Sequence, residues 1–240
     1  FIKLFLFLLV VLAIIGLIVQ SIEEKPQVVI KDKAYVVIDL ANSYKERSLS
    51  SSLFEDDSIN FYNLLTNIKN LSFDDKVSGV VLKLNSNSLS YAQSEELAQE
   101  LSMLRGADKK VIAYFENVNR KNYYLASYAD EIYMPSANST SVNIYPYFRE
   151  EFYTKKLSDK FGVKFNIIHV GDYKSYQENL AKDTMSKEAR EDSTRILNLN
   201  YENFLDIVSL NRKLNRDDLD KIIKDGDLVA ASSIDLFSNK

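Results

Sequence analysis

Few side chains in this sequence can do chemistry. There are no cysteines and one histidine, His169. Disulfides, iron–sulfur clusters and thiolate catalysis are excluded, as is a metal site built from several histidines of this chain. A Ser-His-Asp triad would have to use His169. Lys174 follows the run Val163–Val170 and Gly171, and from its own surroundings in the sequence it reads as an ordinary surface lysine with one chemical possibility. A neutral lysine amine can take the proton of a serine hydroxyl and make it a nucleophile. A free lysine, with a pKa of about 10.4, is protonated at neutral pH. Burial penalises the charged form and lowers that value by several units. The chemistry therefore requires Lys174 to sit beside a closed groove, away from water. Ser175 is its neighbour, but adjacent residues on an extended strand face opposite ways, which disfavours a local dyad. Glu178 and Asp183 are candidates for orienting Lys174 or fixing its loop, although acids near helix starts also serve the helix dipole. His169 could hydrogen-bond near Lys174, but it reads rather as a packed or half-exposed structural histidine.

The elements that must position Lys174 are those of an α/β domain. Ala34–Leu40, Val77–Leu84, Val111–Phe115, Glu131–Met134 and Val163–Val170 are short, apolar and rich in β-branched residues, and predict strands. Between them lie helical patterns. Phe61, Leu64, Leu65, Ile68 and Leu71 mark one face after a cap at Asp57 or Ser58. Leu97, Leu101 and Leu104 mark a second, and Tyr123–Ala129 a short third. After a polar, irregular stretch at 135–146, another helix runs to about Phe161 and stops at Gly162. Ser186 caps a long helix with Leu197, Tyr201, Phe204, Leu205 and Val208 on one stripe, and a last helix runs from about Asn215 to Gly226. Strands alternating with helices predict βαβ units and a mostly parallel sheet with flanking helices. The Ser-rich stretch 41–56 reads as a loop.

Several segments, taken in order, resemble the serine–lysine membrane peptidases of the protease IV (signal peptide peptidase A) family. Val170-Gly-Asp-Tyr-Lys-Ser175, followed by Met185-Ser-Lys-Glu-Ala-Arg-Glu191, is similar to the family's V-G-x-Y-K-S segment and the helix start after it. Asn122–Ile132 is similar to its Y-Y-L-A-S-x-A-x-x-I segment, and Val77–Asn85 to its strand leading to an Asn-Ser turn. Gly226–Leu236 is similar to the stretch before its L-V-D ending. Together they cover about residues 34–240 and point to the N-terminal half of such a protein.

The resemblance implies a Clp protease/crotonase-like domain in which Lys174 is the general base. The family's serine stands in a second, C-terminal domain, in a G-x-x-A-S-G-G-Y setting. The equivalent stretch here is Glu116–Tyr123, with Arg120 where serine would stand. The family's Gly-rich oxyanion turn, N-S-P-G-G, is replaced by Asn85-Ser-Asn-Ser-Leu89. Glycine matters in such a turn because the backbone must come close to the reacting carbonyl. This half is therefore expected to lack both nucleophile and oxyanion hole, and to be inactive in isolation. The implied partners are signal peptides or other apolar peptides, and a serine domain from a neighbouring protomer in a homo-oligomer. No cofactor and no metal are expected. The competing reading is a catalytically silent, membrane-anchored domain that binds peptides or assembles complexes. An acyl-CoA enzyme of crotonase type is a weaker third, since fold analogy alone does not carry it.

The N-terminus agrees with a membrane setting. Leu4–Val19 is an unbroken run of apolar residues and glycine, about 24 Å as a helix against a hydrocarbon core of about 30 Å. It is longer than the usual apolar part of a signal peptide, and no small-x-small cleavage site follows, which favours an uncleaved anchor. Residues 1–22 are read as a transmembrane helix, 23–33 as a juxtamembrane linker and 34–240 as the lysine-bearing domain, truncated at its C-terminus. Lys3 before the span and Glu23-Glu24 after it predict a single pass through the bacterial inner membrane, with the domain on the extracytoplasmic side. The formal net charge of -4 gives no basic face for nucleic acid.

Overall fold

Four of the expected strands line up as one parallel sheet. The computed structural model describes residues 33–42, 44–46, 60–135 and 142–226, together with Phe5, Phe7, Val11 and Leu12. The strands are β1 (Ala34–Asp39), β2 (Val77–Lys83), β3 (Lys110–Tyr114), β4 (Val118–Asn119), β5 (Glu131–Tyr133) and β6 (Val142–Asn143). The main sheet has the order β1-β2-β3-β5, parallel throughout. Parallel neighbours need long crossovers. Helices provide them: α1 (Phe61–Leu71) joins β1 to β2, α2 (Tyr91–Gly106) joins β2 to β3, and α3 (Arg120–Ala126) lies between β3 and β5. The tiny β4–β6 ladder, also parallel, sits where α3 begins. Two residues per strand carry no periodic signal, so this pair was not legible in the sequence.

Each helix starts where a side chain can satisfy its free N–H groups. Asn60, not Asp57 or Ser58, caps α1, accepting from the Asn63 amide at 2.8 Å. Ser90 and Gln93 form a reciprocal capping box on α2. Asn119 caps α3 through the Asn122 amide.

One face of the sheet forms the core. Ile38 and Leu40, Val80, Leu82 and Leu84, Val111, Ala113 and Phe115, and Ile132 share a cluster with Phe61, Ile68, Leu97, Leu101 and Leu104. The alternation of a strand puts their sequence neighbours on the opposite face. There Tyr35 and Val37 are exposed, while Val81, Ile112 and Tyr114 are half-buried. Lys83–Asp39 and Lys110–Glu131 ion pairs occupy the same side. Among the described residues the helices cover one face only.

Beyond the sheet, α4 (Lys155–Lys160), α5 (Glu178–Ala181), α6 (Lys187–Arg212) and α7 (Arg216–Asp225) complete the described chain. Ser186 caps α6 as expected, and Asn215, near which the last helix was expected to begin, caps α7. Gly162 and Gly226 take the left-handed backbone that closes a helix. The second half of α6 joins the core through Tyr201, Phe204, Leu205 and Val208.

Two expectations are corrected. Val163–Val170 is not a strand; it is irregular and largely exposed, with Ile168 and Val170 both 88% exposed. β-branched composition suits a pleated, paired surface but does not create one, and among the described residues this run has no strand to pair with. The helix ending near Phe161 begins only at Lys155, leaving 146–154 irregular. The run Leu4–Val19 lies almost wholly outside the described residues, as do the linker and most of the 41–56 loop and of the Gly226–Leu236 segment. Among the described residues no helix is long and apolar enough to cross a membrane.

Gly79 provides a direct test of strand packing. A Cβ there would lie 2.1 Å from the Lys110 carbonyl oxygen and 2.9 Å from the Tyr35 ring. Gly79→Ala is expected to force β2 and β3 apart and to cost at least about 1–3 kcal/mol in urea unfolding. A loss below about 0.5 kcal/mol would contradict the β2–β3 register.

Candidate functional site

Lys174 sits on an arm rather than at a strand end. From Tyr145 to Ala181 the chain leaves the core and exposes an unusual series of apolar side chains, including Phe148, Phe152, Phe161 and Tyr176. Phe152 and Tyr176 are each 82% exposed. Lys174 lies in a turn, its amide donating to the Gly171 carbonyl at 3.2 Å, and Gly171 takes a φ of 95° that favours glycine. The lysine is exposed, and its ammonium has no hydrogen-bond partner among the described residues. It borders two open depressions, of about 510 and 540 Å³, shared with His169, Val170, Ser175, Tyr176 and Gln177. The closed groove expected around it is not formed by the described residues. His169 is exposed as well, so it is not a packed core residue.

Glu178 holds the arm together. Its side chain is 5% exposed. It accepts from the Ser186 hydroxyl at 2.7 Å, the Ser186 amide at 3.1 Å and the Lys182 ammonium at 3.0 Å. The Tyr153 hydroxyl donates to it at 3.3 Å, and burial pushes that phenol up to about 12, so it stays protonated. Burial alone would raise the Glu178 pKa. The Ser186 hydrogen bonds and the Lys182 charge outweigh it and hold the carboxyl below its ordinary value. Of the two roles expected for Glu178, fixing the loop is the one observed, because no contact joins it to Lys174. Tyr173, beside the lysine, donates to Glu191 on α6 at 2.9 Å, and Arg149 donates to Ser193 at 3.0 Å. The arm is thus pinned along the first half of α6.

The turn expected to lack an oxyanion hole is closed by its own bonds. The Ser88 amide donates to the Leu40 carbonyl at 3.0 Å, and the Leu89 amide to the Asn87 side chain at 3.0 Å. Asn85 accepts from the Glu116 amide at 2.6 Å. Lys121 donates to the carbonyls of Asn87 and Leu89 at 3.0 and 2.6 Å. Burial pushes the Lys121 pKa down, yet its two carbonyl partners favour the ammonium, which makes it a clamp on the turn. Sequence reasoning missed this lysine, whose partners are thirty and more positions away.

Arg120, at the position compared with a serine, opens α3. It donates to the Tyr145 carbonyl, and its guanidinium carbon lies 3.4 Å from the centre of the Tyr147 ring. It lines a cavity of about 250 Å³ that no motif announced. The only hints were the i, i+4 pairs Tyr91/Glu95 and Arg120/Tyr124, which place two side chains on one helix face.

Residues 103–236, more than half of the chain, match the model of peptidase family S49. The chain belongs to peptidase family S49. It is 35% identical over 165 residues to Protease 4 of Haemophilus influenzae, covering 66% of this chain and 26% of that protein. It is 30% identical over 167 residues to Protease 4 of Salmonella typhi, covering 69% of this chain and 26% of that one. A plant relative, "Serine protease SPPA, chloroplastic" of Arabidopsis thaliana, is 24% identical over 163 residues, which are 68% of this chain and 24% of the plant protein. This S49 chain spans about a quarter of the length of these curated relatives. The parallel sheet with its crossover helices agrees with the α/β architecture expected for the family.

Glu178→Gln keeps the side-chain shape but removes the charge. At pH 7 it is expected to cost about 2 kcal/mol, the scale of hydrogen bonds to a charged group, read by urea unfolding. The native pKa is depressed, so this stability is present above the ordinary glutamate value of 4.5 and is lost as pH falls through the native value. The gap between wild type and variant should therefore narrow on acidification. A gap that widened would contradict a charged Glu178. Lys121→Met should cost about 1–3 kcal/mol by the same measurement, because two carbonyls lose their donor.

Proposed function

We propose that this chain is the lysine-bearing half of a membrane-bound serine endopeptidase, with Lys174 as the general base toward a serine supplied by a C-terminal domain, most simply one of a neighbouring protomer. The observation that carries the reading is the position of Lys174. It lies on an apolar, exposed arm, and its ammonium has no partner among the described residues of its own chain. A general base must be neutral, which asks for an amine held away from water. A second surface closing over the arm would bury Phe152, Ile168, Val170 and Tyr176, remove water from the lysine, and favour its neutral form. The same closure would bring a hydroxyl to within the roughly 2.6–3.2 Å that proton transfer needs. The neutral amine then takes the serine proton as the serine oxygen attacks the scissile carbonyl, and the resulting ammonium returns that proton to the leaving amine.

Family S49 membership supports the peptidase class. The substrates in this reading are signal peptides and other apolar peptides, reached from an N-terminal anchor in the bacterial inner membrane with the domain outside. A Ser-Lys pair needs no cofactor.

The alternative is a catalytically silent, membrane-anchored domain that binds peptides or assembles complexes. Its support is the Asn85–Leu89 turn, whose Ser88 and Leu89 amides are engaged internally and unavailable to an oxyanion, together with Arg120 at the place compared with serine.

The two readings part on one experiment with the full-length protein. A fluorophosphonate probe labels an activated serine covalently. Lys174→Ala is expected to reduce labelling and peptide turnover by at least about 10²-fold, within the usual range for a general base, with the oligomer intact by size-exclusion chromatography. Unchanged labelling and turnover would remove Lys174 from the mechanism. No labelling of the wild type would favour the silent domain.

A further inference from the structure

A second site lies at the junction of three helices, away from Lys174. α2 contributes Tyr91 and Glu95, α3 contributes Arg120 and Tyr124, and Phe204 on α6 and Tyr147 also line the cavity of about 250 Å³. Phe204 is buried and the other rings are exposed or half-buried, so the cavity is aromatic and reachable from outside. Asn200 and Asn203 complete the lining from one side of α6.

Two opposite charges face this space without meeting. Arg120 gives one donor to the Tyr145 carbonyl and stacks on Tyr147, and its half-buried guanidinium meets no carboxylate among the described residues. A guanidinium carries five donors in a planar fork, and a carboxylate matches that fork. Glu95 forms no ion pair with Arg120, and its carboxylate accepts no hydrogen bond among the described residues. A ligand with only a negative charge would meet repulsion from Glu95. One with only a positive charge would meet Arg120. Bearing both charges, with an apolar body between the rings, a ligand satisfies the whole lining. The volume lies below the roughly 300–1,000 Å³ of pockets for larger ligands. One amino acid fits and an extended peptide does not.

We propose that the cavity between α2, α3 and α6 binds a small zwitterion, an α-amino acid with an apolar or aromatic side chain. Its carboxylate pairs with Arg120 and its ammonium with Glu95, while its side chain lies against Tyr124, Tyr147 and Phe204. The site is independent of the peptidase reading, since neither Lys174 nor a second domain takes part.

The test is calorimetric titration of the full chain with L-phenylalanine, N-acetyl-L-phenylalanine, L-phenylalaninamide and L-serine. L-phenylalanine is expected to bind, and each blocked analogue to bind at least about tenfold more weakly, because each loses one charge-assisted pair. L-serine should also be weaker, having nothing for the rings. Glu95 is exposed, so Glu95→Gln should leave folding intact, weaken L-phenylalanine about tenfold and erase the preference over the N-acetyl form. Arg120→Met should erase the preference over the amide, with circular dichroism as the folding control. Equal binding of L-phenylalanine and either blocked analogue, or no binding of L-phenylalanine at about 10 mM, would overturn the proposal.

Discussion

A carboxylate taken out of water must be met by donors, and Glu178 is met by four. Burial would drive it toward the neutral acid; the Ser186 hydroxyl and amide, the Lys182 ammonium and the Tyr153 hydroxyl keep it charged. The knot ties Tyr153 to the segment 178–186, which follows it 25 residues later. Ser186 is also the cap of α6, accepting from the Ala189 amide. The start of the longest helix and the end of the Lys174 turn are therefore set by the same few atoms. The knot adds to the Tyr173–Glu191 and Arg149–Ser193 hydrogen bonds in ordering an arm whose large apolar residues Phe148, Phe152, Phe161 and Tyr176 are exposed.

Much of the main sheet was legible from sequence because its strands obey a local rule. Ile38, Leu82, Val111 and Ile132 belong to short β-branched runs separated by helical patterns, and all four runs paired as expected. The cap Ser186, the helix start near Asn215 and the stops Gly162 and Gly226 were legible for the same reason, being decided within four residues. Val163–Val170 failed the same test. Its composition is that of a strand, but pairing depends on what lies alongside, which composition cannot report. At the candidate site, the sequence singled out Lys174 and the altered turn. It did not reveal that Lys174 is exposed, that Lys121 clamps the turn, or that Arg120 lines a cavity, since each depends on groups distant in the chain.

Two lysines make the contrast concrete. Lys121 is half-buried with a lowered pKa, and two carbonyls oblige it to stay where it is. Lys174 is exposed, with no such obligations. Burial by itself does not single out the amine proposed as the base. What distinguishes Lys174 is that its surroundings are incomplete, whereas those of Lys121 are already closed.

The length of α6 has a mechanical consequence. Only its second half is anchored, from Tyr201 to Val208; the first half carries the arm through Ser186, Glu191 and Ser193. The distance from Ser186 to Tyr201 along the axis is about 20 Å at 1.5 Å per residue. A tilt of about 5° at the anchored end would sweep the tip through nearly 2 Å, more than the tolerance of a proton transfer. Like a boom stepped in a hull, α6 turns a small rotation at its packed end into a large movement of the side chains carried at the other.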